Sequence, residues 1–247
     1  MTGLFTSTRL IVPTPPDVAL EAAARIADAL ATSQGERGTA SLALSGGSTP
    51  RDTYGLLAEA KNVDWAKVDL FWVDERAVPP THERSNFMMA YSTLIARAGI
   101  DATRVWRMPA ERSDIDGAAL EYARLIQAHV KRDDADVPAF DVVVLGIGAD
   151  GHTASLFPGE STVELEDSLV AGVAACGSRE ARLTLTAPML NHALHVFVLV
   201  VGAEKHAAVA RVLAEDGDLR ETPGRIIRRC LGAVTWIMDR EAAQSDT

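Results

Sequence analysis

Uninterrupted apolar runs alternate with helical patterns along this 247-residue sequence, and this alternation restricts the fold more than any other feature. The runs are rich in Val, Leu and Ile without polar alternation, which is typical of strands buried on both faces. The sequence predicts strands at 9–13, 39–46, 67–74, 140–148, 182–186, 195–202 and 232–239, and helices at 16–32, 49–60, 85–99, 117–132 and 203–215. Strands that are each followed by a helix predict a doubly wound, mostly parallel α/β sheet with helices on both faces. No linker divides the chain, so we predict a single domain over 1–247.

Two of the predicted helices have recognisable ends. Thr49 is predicted to cap the helix at 49–60, with Pro50 in its first position. Ser85 is predicted to cap the helix at 85–99, which we expect to stop near Gly99.

The charge and cysteine content exclude several classes of function. A formal charge of −10 argues against non-specific nucleic-acid binding, which needs a basic surface. A locally basic pocket for a small anion remains compatible with that charge. No apolar run is long enough to span a membrane, and the start of the chain shows no signal-peptide pattern. Cys176 and Cys230 fit no metal or redox spacing and predict two buried free thiols, so we expect a cytoplasmic protein. We also expect a monomer or weak homo-oligomer.

Three unusual loops, 45–50, 74–86 and 146–159, follow predicted strands. In open α/β sheets ligands bind beyond the carboxyl ends of the strands, so these loops are expected to converge on one site. The first loop, "SGGSTP", has two glycines and two hydroxyl side chains before a helix, which suits a phosphate at a helix N-terminus. A capped tight turn is the alternative interpretation.

The loop 74–86 places charged side chains at a strand end. Asp74, Glu75 and Arg76 are candidates to face a cleft, although a solvated charge cluster would have the same composition. Arg84 has the fork geometry that suits a phosphate, or it pairs with Glu83.

The loop 146–159, "GIGADGHTASLFPG", contains the G-x-G-x-x-G pattern of dinucleotide sites. That reading requires a long helix after the third glycine, whereas Pro158 and Gly159 leave no room for one. The glycines are better explained as backbone that presents His152, a candidate general base. Since no nucleophile motif accompanies it, direct attack by an activated water is favoured. His192 and His195 lack a third ligand, so no metal site is predicted.

Together the loops resemble the 6-phosphogluconolactonase family. The matching stretches are "LALSGGSTPRDTYGLL" (42–57), "LFWVDERAVPPTHERSNFMMA" (70–90) and "VVLGIGADGHTASLFPG" (143–159), supported by "RLTLTAPMLNHA" (182–193) and "VVGAEKHAAV" (200–209). Related glucosamine-6-phosphate deaminases have a form similar to "IAFNEP" after the Gly-His pair, where this chain has "TASLFP", the lactonase form. The resemblance implies a three-layer sandwich of the NagB/RpiA-like kind.

The resemblance also implies an activity, the hydrolysis of 6-phosphoglucono-δ-lactone to 6-phosphogluconate in the oxidative pentose phosphate pathway, with neither metal nor organic cofactor. His152 would be the base, Arg76 would hold substrate or developing negative charge, and Asp74 would orient Arg76 or His152 or contact sugar hydroxyls. The implied substrate and phosphate residues are Ser45, Gly46, Gly47, Ser48, Arg84, Gly151, Arg182 and Lys205, with Arg179 as a weaker candidate. Arg225, Arg228 and Arg229 form an arginine-rich segment whose reach toward the phosphate stays open.

Two alternatives remain at this point. An isomerase or deaminase acting on an amino-sugar phosphate would use the acidic residues Asp74 and Glu75. A non-catalytic sugar-phosphate sensor would use the same fold, although the chain shows no DNA-binding segment.

Overall fold

A computed structural model describes residues 7–244 and contains a six-stranded parallel sheet. Its strands, in spatial order, are β1 (Ser7–Val12), β9 (Ala233–Asp239), β8 (His195–Val200), β5 (Val142–Gly146), β2 (Ala40–Leu44) and β3 (Val68–Trp72). Every neighbouring pair is parallel. All five residues of β2 are buried, as expected of a strand covered on both faces. The predicted mostly parallel α/β fold is confirmed.

Helices connect the strands and cover the sheet. They are α1 (Pro15–Arg37), α2 (Ser48–Leu57), α3 (Asn86–Ala90), α4 (Ala96–Ala98), α5 (Ile115–His129), α6 (Ala187–Asn191), α7 (His206–Leu213) and α8 (Arg240–Ala243). A π-helical segment, Tyr91–Ile95, joins α3 to α4, and 3₁₀ segments lie at Trp65–Lys67, Ala102–Arg104, Ser161–Glu164, Ala203–Lys205 and Pro223–Arg229. The alanine-rich α1 packs across β2, β8 and β9 and against α2, because its small side chains allow close approach.

A second, antiparallel sheet was not predicted. It has the order β4 (Asp74–Arg76), β7 (Arg182–Leu185) and β6 (Val170–Val173). The predicted strand 67–74 therefore breaks at Val73, whose N–H donates to Leu44 O in the main sheet at 2.9 Å while its carbonyl accepts from Leu185 N at 2.8 Å. The backbone of this one residue is thus hydrogen-bonded to both sheets, and the chain passes here from the parallel sheet to the antiparallel one.

The helix ends agree with the sequence in two cases of three. The Ser85 side chain accepts from Met88 N at 3.2 Å, and Gly99 ends the helix with φ of 66°, as predicted. The Thr49 cap is wrong: Gly47 takes that position with φ of 110°, and the helix starts at Ser48. A φ in this range favours glycine, which moves the helix start upstream of the two hydroxyl residues.

The core is formed by one cluster of buried apolar side chains that draws on both sheets. Trp72 and Trp236, on β3 and β9, are among its largest fully buried members. Neither Cys176 nor Cys230 is in a disulfide, but Cys176 is exposed because it lies in the turn between β6 and β7, so the expectation of two buried thiols is wrong. Within residues 7–244, no helix has the length and apolar character needed to cross a bilayer.

Candidate active site

A cavity of about 440 Å³ lies at the carboxyl edge of the main sheet. The residues that follow β2, β5 and β8 line it, together with side chains of β4 and β7. The strand order reverses direction between β2 and β5, since the chain proceeds from β2 to β3 on one side and returns to β5 on the other. The cavity therefore occupies the switch point at which open α/β sheets bind ligands. Nine predicted site residues line it: Ser45, Gly46, Gly47, Ser48, Asp74, Arg76, His152, Arg182 and Lys205.

One end of the cavity is formed by the N-terminus of α2. Ser48, Thr49 and Pro50 line the wall, and no side chain caps the helix, so the N–H groups of Ser48 and Thr49 open toward the cavity. No acidic residue lies in the first turn, which leaves the positive end of the helix dipole uncompensated. Lys205 lies on the same wall, in the 3₁₀ segment after β8. This end has the features of a phosphate site.

Ser45 has a different role from its neighbours. Its hydroxyl donates to Val144 O at 2.5 Å, and its backbone N–H and carbonyl both bind the hydroxyl of the fully buried Tyr54. Its proton is thus used to join the ends of β2 and β5, so the structure gives Ser45 a supporting role rather than the phosphate-donor role expected from sequence.

His152 lies beside the cavity with its ring held by Asp150. The His152 Nδ1 to Asp150 Oδ1 distance is 2.6 Å, and the imidazole is about one-third exposed at 32%. This hydrogen bond lowers the pKa of Asp150 to about 2, so the carboxylate is ionised and can only accept. Nδ1 therefore carries the proton, and the Nε2 lone pair is free to accept one. Gly148 is essential to this geometry, because a Cβ there would lie 2.1 Å from Nδ1.

The His152 ring also contacts an aromatic side chain. The rings of His152 and Phe157 have centroids 4.7 Å apart, and the Arg179 guanidinium lies 4.0 Å from the Phe157 centroid. Arg179 is bound to Glu160 at 2.5 Å and does not line the cavity, so its part is to support Phe157.

Two arginines face each other in the second sheet. Arg76 and Arg182 are directly paired across β4 and β7, and both line the cavity. Like charges at such positions repel, and the Nε atoms of both are buried without a partner among the described residues. Burial is the main effect and lowers the pKa of Arg182. The Asp74 carboxylate raises this pKa and the Arg76 charge lowers it, and the guanidinium stays charged. The arrangement is suited to an anion that supplies both the missing charge and the missing acceptors.

The buried Asp74 connects the loops. Its carboxylate accepts from Ser155 Oγ at 2.6 Å, from Asn86 Nδ2 at 3.2 Å and from Arg182 NH1 at 3.5 Å. Neither predicted orienting role is seen, since Asp74 contacts Arg182 rather than Arg76 and the His152 ring is held by Asp150. The predicted contact of Asp74 with sugar hydroxyls stays a prediction. Asn86 in turn packs closely against the loop 45–50, since a Cβ on Gly46 would lie 1.8 Å from Asn86 Oδ1.

Arg84 and Gly151 do not line the cavity. Arg84 forms an ion pair with Glu180, not with Glu83, and its backbone carbonyl accepts from Arg76. Gly151 has φ of 96° and shapes the turn that precedes His152, so its contribution is conformational.

The arginine-rich segment faces away from the phosphate end. Arg225 donates to the carbonyls of Arg211, Ala214 and Glu215 at 2.8–3.0 Å, and Arg228 donates to Leu213 O at 2.7 Å. These acceptors lie at the C-terminal end of α7, where cations and donors are favourable.

Glu75 is buried rather than directed at the cavity. Burial raises its pKa, while hydrogen bonds from the backbone N–H groups of Phe87, Asn86 and Arg76 and from the Ser85 hydroxyl lower it. It holds the start of α3 in place, which leaves Asp74 as the acidic residue of the pair that reaches the cavity.

Sequence reasoning missed Asp150, Asn86, Ser155 and Phe157. Asp150 carried a local signal, an acid two residues before a glycine-flanked histidine. The contact of Ser155 with Asp74 spans 81 positions and had none. Within residues 7–244, no group of three or more His, Cys, Asp or Glu side chains has a metal-binding arrangement, and His192 instead pairs with Asp133 at 2.5 Å.

Comparison with known proteins places this chain in a family. The family model described as glucosamine-6-phosphate isomerases/6-phosphogluconolactonase matches residues 13–236. A 6-phosphogluconolactonase of Synechocystis sp. is 35% identical over 85% of this chain and 86% of its own length. The 6-phosphogluconolactonase of Streptomyces coelicolor is 35% identical over 90% of this chain and 88% of its own.

Solved structures agree with the sequence relatives. The 6-phosphogluconolactonase of Leishmania guyanensis superimposes with a TM-score of 0.87 at 28% identity, over 98% of this chain and all of that one. The 6-phosphogluconolactonase of Trypanosoma brucei gives a TM-score of 0.85 at 28% identity, over 97% and 98%. With the matched region covering most of the chain and both sheets, the chain belongs to the glucosamine-6-phosphate isomerase/6-phosphogluconolactonase family.

Proposed function

We propose that this chain hydrolyses 6-phospho-D-glucono-1,5-lactone to 6-phospho-D-gluconate, the lactonase step of the oxidative pentose phosphate pathway. The observation that supports it best is the Asp150–His152 pair, which leaves Nε2 free beside a cavity with an open helix N-terminus. The relatives named 6-phosphogluconolactonase support the same substrate.

The proposed reaction begins with His152 Nε2 accepting a proton from water as the water oxygen bonds to the lactone carbonyl carbon. The carbonyl oxygen becomes an oxyanion, for which Arg76 and Arg182 are the candidate partners. The tetrahedral intermediate then collapses, the bond from that carbon to the ring oxygen breaks, and the ring oxygen takes the proton back from His152. The product acid ionises in water, and no group remains attached to the protein.

A water nucleophile fits the side chains at hand. No cysteine lines the cavity, and the Ser45 hydroxyl donates to Val144 O, away from any base. Ser48 and Thr49 lie at the helix N-terminus, which we assign to the 6-phosphate together with Gly46, Gly47 and Lys205.

We further propose that the chain acts as one domain and needs neither a metal nor an organic cofactor. A chelator should then leave turnover unchanged. Turnover that requires an added divalent cation would contradict this part of the proposal.

Purified protein tests the activity in a coupled assay that follows oxidation of 6-phosphogluconate, with spontaneous hydrolysis subtracted. His152→Asn should reduce the rate to the spontaneous level while binding of 6-phosphogluconate persists. His129→Asn, at an exposed position on α5, is the matched control and should retain full activity. A wild-type rate equal to the spontaneous one, or full activity of His152→Asn, would refute the proposal. Ammonia release from glucosamine 6-phosphate would instead support the deaminase alternative.

A further inference from the structure

The side chain of Ser155 is fully buried and contacts strands β4 and β7 of the second sheet. Its hydroxyl donates to Asp74 Oδ2 at 2.6 Å, and its backbone N–H donates to Thr184 Oγ1 at 3.1 Å. Thr184 is the residue paired with Asp74 across β4 and β7. Ser155 is therefore fixed at both its backbone and its side chain by the same pair of strand residues.

The chain is strained just before this contact. Ala154 has φ of 52°, a left-handed conformation that non-glycine residues adopt at an energetic cost. The backbone then turns, with Leu156 N donating to Thr153 O at 3.0 Å. The strained residue directs the following side chain inward, so the fold accepts an unfavourable backbone state where Ser155 meets Asp74.

The oxygen that Ser155 binds is also the one that faces Arg182. Asp74 Oδ2 lies 3.5 Å from Arg182 NH1, a long contact whose geometry depends on where the carboxylate is held. Arg182 lies opposite the cation Arg76, its Nε has no partner among the described residues, and its guanidinium lies 5.9 Å from the Phe157 ring centroid, so Asp74 is the carboxylate in direct contact with it. With the Ser155 bond absent, the carboxylate would keep two partners among the described residues, Asn86 at 3.2 Å through Oδ1 and Arg182 itself at 3.5 Å.

We propose that Ser155 is a positioning residue: by fixing Asp74 it holds the Arg182 guanidinium where it meets the substrate anion. The proposal rests on the proposed function for the identity of that anion. It assigns Ser155 no contact with substrate, since Ser155 does not line the cavity.

A double-mutant cycle on ligand binding tests this directly. Calorimetry would measure the dissociation constant of 6-phosphogluconate for the wild type, Ser155→Ala, Arg182→Met and the double variant. Ser155→Ala should weaken binding about tenfold in the wild-type background, as expected for loss of a hydrogen bond to a charged group. In the Arg182→Met background the same change should cost less than about twofold. Equal losses in the two backgrounds would indicate a general structural role and overturn the proposal.

Two further variants separate positioning from damage to the fold. Ser155→Cys keeps a donor at the same position, but a thiol donates much more weakly than a hydroxyl, so it should show most of the Ser155→Ala binding defect with a melting temperature close to that of Ser155→Ala. Ser161→Ala makes the same chemical change at an exposed position in the 3₁₀ segment that follows this loop and should bind like the wild type. Wild-type affinity of Ser155→Cys would contradict the role of the hydrogen bond.

Turnover measured in parallel distinguishes the two levels of proposal. A wild type without lactonase activity that still shows the non-additive binding cycle would refute the proposed function and keep the role of Ser155. An active wild type with an additive cycle would refute the role of Ser155 alone. A wild type that binds no 6-phosphogluconate would overturn both.

Discussion

Replacing Asp150 by Asn tests whether Asp150 orients the His152 imidazole for the general-base role that we propose. Asp150 Oδ1 lies 2.6 Å from His152 Nδ1, the distance of a charge-assisted hydrogen bond. Such bonds contribute about 1.5–3 kcal/mol. The Asp150 side chain is half exposed, so solvent screening reduces the expected loss to about 1–2 kcal/mol. That loss corresponds to a decrease in kcat of roughly 5- to 30-fold.

The Michaelis constant should change by less than about twofold, because Asp150 does not line the cavity. The coupled lactone assay, corrected for spontaneous hydrolysis, separates the two constants. Asp167→Asn, a matched change at an exposed carboxylate further along the chain, should leave both constants unchanged. If Asp150→Asn kept the wild-type kcat while His152→Asn abolished activity, the orienting role of Asp150 would be refuted.

The pH dependence adds an independent check. The pKa of Asp150 is lowered from 3.8 to about 2, so the folded state binds its proton more weakly than the unfolded chain does. Its contribution to stability is therefore fully present above about pH 4 and is lost as the pH falls through about 2. Asp150 thus stays ionised in assays between pH 5 and 8. A loss of the Asp150→Asn difference within that range would contradict the assignment.

Four other changes probe the site and the rest of the fold. Gly148→Ala would place a Cβ 2.1 Å from His152 Nδ1 and should lower kcat at least tenfold. Gly35→Ala is the matched control, because a Cβ at this position on α1 meets nothing within 4 Å; it should keep full activity and stabilise the protein by about 0.5–1 kcal/mol. Arg225→Met should lower the free energy of unfolding by about 1–3 kcal/mol in urea titrations, because three carbonyls lose their donor, with kcat unchanged. Glu75→Gln would place an amide NH₂ among groups that are all donors, so it should lower the free energy of unfolding by a similar amount. A urea midpoint equal to or above that of the wild type would show instead that removing the buried charge outweighs the lost hydrogen bonds.

The sequence by itself determined the strands of the parallel sheet and the edge of that sheet at which the site loops meet. Apolar runs without polar alternation predict buried parallel strands, because their periodicity is local and is read without knowing what packs against them. Glycines followed by hydroxyl residues at 46–49 likewise predict a phosphate at a helix N-terminus, and the histidine after Gly151 predicts a general base. These features depend on residues that are close together in the chain, and they can therefore be predicted from the sequence alone.

Only the tertiary structure decided which charges meet. Nothing local indicates that the chain changes sheets at Val73, because both of its backbone hydrogen bonds are made to strands distant in sequence. That change pairs Arg76 with Arg182 and brings Ser155 to Asp74 across 81 positions. Contacts of this kind are set by strand register and packing, whereas residue type alone made Arg84 look equally suited to the site. The physical difference is that backbone preferences act over a few residues, while electrostatic partners are chosen by the assembled fold.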